Sequence, residues 1–83
     1  MAEPKQMLNS PKLHINKKYH PPLDTVLSVT QKPWGRVWVK FLDPKTNRPK
    51  IAIAKTAMSN LLMVINNWRV MAGKEPIFGI YEK

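Results

Sequence analysis

The residue types that could carry chemistry are unevenly placed along this chain. Cysteine is absent, the histidines His14 and His20 stand six apart near the N-terminus, and the carboxylates Glu3, Asp24, Asp43, Glu75 and Glu82 are scattered singly. General acid–base or nucleophilic catalysis needs a base, an orienting partner and a nucleophile held together, and no spacing here groups them. Two histidines without a third ligand nearby make a poor metal site. Three glycines, none in a G-x-G run, make no phosphate-cradling loop. The sequence points away from an enzyme, and it implies no cofactor and no metal.

The pattern that stands out is cationic. Fourteen Lys and Arg against five Asp and Glu leave a net +9 on 83 residues. Such a field attracts polyanions from beyond contact range. Lys32, Arg36, Lys40, Lys45, Arg48, Lys50 and Lys55 lie close together with Asp43 as their one acid, a net +6, and are interleaved with Trp34 and Trp38. Lys and Arg neutralise phosphates and release counterions. An exposed indole offers a flat surface to an unstacked base, worth roughly 1–3 kcal/mol. These nine residues are the candidate nucleic-acid-binding set. Single-stranded DNA or RNA is favoured over duplex, because duplex readers usually insert a basic helix face and the helix here is outwardly Asn- and Ser-rich. The alternative use of the charge is that of a small basic inhibitor or adaptor, docking on an acidic surface of a partner protein or nucleic-acid-handling complex. A second copy of the chain is a further candidate partner, since so short a chain buries a modest core. The longest apolar run, Leu61 to Ile65, is far short of the ~20 residues of a membrane span. The expectation is a soluble intracellular protein of cytoplasm, nucleoid or nucleus with no membrane partner.

Those side chains must be positioned by a small α+β fold. Pro4, Pro11, Pro21 and Pro22 interrupt residues 1–22, which read as a flexible basic arm; Lys17 to His20 is the part best suited to be ordered or used. Residues 23–83 read as one domain. Strands are expected at Leu23–Gln31, Arg36–Leu42 and Lys50–Lys55, with turns at Lys32–Gly35 and Asp43–Pro49. A helix follows over Ala57–Ala72, with Thr56 as N-cap and Gly73 closing it. A short strand Ile77–Tyr81 comes after Pro76. This is a small antiparallel sheet, a three-stranded meander plus a short C-terminal strand, with one amphipathic helix packed on one face.

Alternation sorts the strands into two faces. Leu27, Val29, Val37, Val39, Phe41, Ile51 and Ile53 are assigned to the helix-covered side. Lys32, Arg36, Trp38, Lys40 and Lys50 are assigned to the open side, where Trp38 could instead be buried against the arm or a second copy. On the helix, Ala57, Leu61, Val64, Ile65, Trp68, Met71 and Ala72 form the inward face, while Met63 and Val70 break the outward polar one.

Overall fold

A computed structural model describes residues 11–83. The expected α+β architecture is present: strands β1 (Val26–Gln31), β2 (Val37–Leu42) and β3 (Pro49–Ala54), helix α1 (Met58–Met71), then β4 (Ile80–Tyr81). Turn chemistry sets the connections. Gly35, at φ 93°, donates its N–H to the Lys32 carbonyl between β1 and β2. Between β2 and β3, Asp43 Oδ1 accepts the Lys45 N–H at 2.9 Å and Asn47 takes a left-handed φ of 58°, as short polar side chains allow. The sheet order is β3-β2-β1-β4. The meander is antiparallel, but β4 joins β1 in parallel, so the sheet is mixed, and this strand is two residues long rather than five. Leu23–Thr25 forms a 3-10 turn ahead of β1.

Gly73 (φ 80°) closes the helix as expected. The Lys74 N–H reaches the Arg69 carbonyl at 2.7 Å and the Gly73 N–H reaches Val70 at 3.1 Å, a Schellman closure. Its start differs: the N-cap is Ala57, with no side-chain cap, so Thr56 does not perform that role. Its buried face also differs. Met58, Leu61 and Ile65 are buried and Trp68 partly so, whereas Ala57, Val64, Met71 and Ala72 are exposed. The C-terminal segment accounts for the rotation. Asn66 exchanges two hydrogen bonds with the Ile77 backbone, at 2.8 and 2.9 Å. Beside it, a Cβ on Gly79 would lie 2.6 Å from the Met58 methyl. The helix is gripped along Met58, Leu62 and Asn66, and that side is drawn inward.

Strand phase brings the largest corrections. The β2–β3 loop pairs Leu42 with Pro49, which sets Val39 opposite Ala52 and Val37 opposite Ala54. Directly paired residues share a face, so Ala52 and Ala54 are buried while Ile51 and Ile53 lie exposed beside Lys40 and Trp38. On β1 the pairing slips between Val26 and Ser28. This bulge sends both Val26 and Val29 inward and leaves Leu27 exposed. Lys50, opposite Phe41, has the phase of the inner face.

Residues 11–22 are not an arm. Leu13 N–H to Pro21, Ile15 N–H to Tyr19 and Leu23 N–H to Pro11 make residues 11–23 a hairpin. Its alternation puts Leu13, Ile15, Pro21 and Leu23 inside and Lys12, His14 and His20 outside. Tyr19 packs on Phe41, with ring centroids 5.9 Å apart. Residues 1–10 of the expected arm lie outside those described. The core therefore joins hairpin, inner sheet face and helix.

Three substitutions test this arrangement by chemical denaturation. Ile15→Ala should cost about 2–5 kcal/mol as a buried truncation. Ala52→Leu should cost about 1–3 kcal/mol by overpacking, whereas Ile51→Thr should stay within about 0.5 kcal/mol. The reverse ranking at 51 and 52 would restore the other strand phase.

Candidate nucleic-acid interface

The hairpin docks by its turn. The Asn16 side-chain amide donates to the Ile53 carbonyl at 2.8 Å, and its Oδ1 accepts the N–H groups of Lys18 and Tyr19 at 2.8 and 3.0 Å. That Asx turn leaves Lys17 and Lys18 exposed beside the end of β3. A groove of about 710 Å³ results, bounded by Lys17, Lys18, Tyr19, Arg36, Ile53 and Lys55. A second, of about 370 Å³, lies toward the other end, bounded by Lys12, Lys18, Tyr19, His20, Lys45 and Lys50, with Asp43. Both fall in the roughly 300–1,000 Å³ range of small-ligand sites. Lys18 and Tyr19 belong to both, so the two run into one basic track. Seven cations line it, against Asp43 as its one acid among the described residues.

The nine residues named from sequence are distributed over this surface and beyond it. Arg36 and Lys55 enter the first groove, Lys45 and Lys50 the second. Lys40 stands exposed on the open sheet face, and Arg48 is exposed in the β2–β3 loop. Trp34 is 63% exposed at the β1–β2 turn. Trp38 reaches the open face but is half-buried there, and its indole N–H is enclosed with no acceptor among the described residues. Lys32 lies over it, its ammonium 4.1 Å from the ring centroid, and is ion-paired to Glu82 at 2.7 Å. With 13% of its side chain exposed, Lys32 is committed to this contact rather than free for phosphate. Lys12, Lys17, Lys18, Tyr19 and His20 were not among the nine. The alternation of Leu13 and Ile15 with Lys12 and His14 was the signal that could have placed them.

Asp43 shapes the second groove. The Lys45 backbone N–H, and then the Lys50 ammonium at 2.9 Å, hold its carboxyl below the usual carboxylate range. The same hydrogen bond raises Lys50. Lys50 thus stays cationic while Asp43 partly answers its charge. His14 and His20 face each other across the hairpin with centroids 4.5 Å apart; no group of three metal-ligating side chains occurs among the described residues. Among those residues, too, no helix is long and apolar enough to cross a membrane.

Compared with known proteins, the chain matches no family model, no curated relative and no solved structure.

An NMR titration should find Asp43 protonating below the ordinary carboxylate midpoint. Lys50→Ala should raise that midpoint only partway, because the larger influence, the Lys45 N–H, remains. A depressed acid stabilises the folded loop above its unfolded midpoint, so this contribution is lost as pH falls below about 4.

Proposed function

We propose that this chain is a small basic nucleic-acid-binding protein whose track for a single strand of DNA or RNA runs along the hairpin turn and the β3 edge. The observation that carries this reading is the pair of grooves joined at Lys18 and Tyr19, lined by seven cations and one acid. Cations in line supply affinity by counterion release. Exposed Trp34, next in sequence but one to Arg36, supplies an aromatic face for a base at one end. Duplex reading is less well served, because α1 carries Arg69 as its one charged residue and has no basic row to enter a groove.

The test is fluorescence anisotropy of single-stranded and duplex oligonucleotides across a series of salt concentrations. Each groove cation that meets a phosphate contributes about 0.7 to the log–log salt slope on a single strand, so Lys18→Ala and Lys55→Ala should each lower the slope by about that much. Trp34→Ala should weaken single-strand binding by about 1–3 kcal/mol and leave the slope unchanged. Lys74→Ala, outside both grooves, should change neither. If neither nucleic acid binds, while capture from nuclease-treated extract recovers an acidic protein that Lys18→Ala releases, the same track serves an acidic protein partner instead.

A further inference from the structure

The solvent face of α1 is unlike the rest of this surface. From Thr56 to Trp68 the sequence has no charged residue, and Ser59, Asn60, Met63, Val64, Asn67, Val70 and Met71 are all exposed. At 100° per residue these seven share one face, opposite the buried Leu61 and Ile65. Its four apolar side chains are between 46 and 86% exposed. Solvent-facing helix positions ordinarily carry Lys, Glu or Arg, and a protein with a net +9 has no shortage of them.

We propose that this face pairs with the same face of a second copy, forming an antiparallel two-fold dimer centred on Asn67. Three features select that occupant. The first is electrostatic: two copies of a chain this positive repel over most approaches, and the charge-free helix face is where they meet at least cost. A polyanion or acidic peptide finds no cation there and is drawn to the grooves instead. The second is symmetry. Met63 and Val64 lie four and three residues before Asn67, and Val70 and Met71 three and four after it. A two-fold axis through Asn67 sets Met63 against Met71 and Val64 against Val70 of the other copy, as an isologous interface requires. The third is the amide at the centre. Asn carries both donor and acceptor, so two copies of Asn67 can exchange hydrogen bonds with each other across the axis, and a polar Asn between apolar side chains of a helix seam favours one register. Antiparallel packing also opposes the helix dipoles favourably. The inference is independent of what the grooves bind.

Analytical ultracentrifugation from roughly 1 μM to 1 mM should show the mass rising from 9.6 kDa toward twice that value. The charge-neutral double variant Met63→Asn/Val70→Asn, altered only at exposed positions, should weaken association at least tenfold with an unchanged circular dichroism spectrum. The chain has no cysteine, so Asn67→Cys introduces one thiol at the proposed axis. With oxidised glutathione it should form a disulfide-linked dimer much faster than Thr46→Cys on the β2–β3 loop. A wild-type chain that stays monomeric throughout, or Asn67→Cys linking no faster than Thr46→Cys, overturns the proposal.

Discussion

One helix cannot cover this sheet, and much of the structure follows from that. A helix with its side chains is about 10–12 Å across, while four strands spaced at about 4.8 Å present a wider face. Helix α1 lies over β1 and the 3-10 turn before it, which leaves the inner side of β2 and β3 to be closed by something else. The 11–23 hairpin closes it, with Leu13, Ile15 and Tyr19. Alanine at 52 and 54 suits that arrangement, because the hairpin brings its own bulk to a face where isoleucine would compete for the same volume. A core of this size has little to spare, so the hairpin belongs to the fold.

The same closure creates the charged track. An inner face sealed by a two-stranded hairpin must be sealed up to the edge strand, and the hairpin's turn therefore comes down beside β3. Lys17 and Lys18 stand at that turn and meet Arg36 and Lys55, which are remote from them in sequence. Farther along, Lys12 and His20 come beside Lys45 and Lys50 at the opposite end of the strand. Cations that are distant in sequence become neighbours in a row. The exposed face of the helix, by contrast, carries no charged side chain. Charge is thus divided between a cationic track and a helix face that carries none.

Within the open sheet face the balance is different. Ile51 and Ile53 lie beside Lys40 and Trp38, and the Lys32 ammonium caps the indole under the hold of Glu82. A cation over an aromatic ring is worth about 0.5–2 kcal/mol depending on desolvation, and here the contact closes the ring face that a base would need. Trp38 therefore ties the C-terminal strand to the meander, whereas Trp34, with the same ammonium 5.9 Å from its ring centroid, is the more exposed indole.

The α+β order, the three strands, the helix with its Gly73 closure, and the basic bias of residues 32–55 were legible in the sequence, because each depends on local terms: turn residues, β-branched runs, helical period and charge count. Face assignment on β1 and β3 was not. A one-residue bulge and the length of the 43–48 loop each shift phase by one, and a shift by one exchanges the faces of a strand. Alternation alone cannot distinguish Ile51 and Ile53 inside from Ala52 and Ala54 inside. The buried side of α1 was likewise settled by Asn66 and Gly79, contacts made with a segment that composition does not place. Residues 11–22 misled for a related reason: proline and lysine argue for an arm, and only the uncovered half of the sheet makes Leu13 and Ile15 core residues. Local chemistry determined which elements form and that the chain is basic; tertiary packing decided which side of each element is buried and which cations stand in line, since both depend on neighbours distant in sequence.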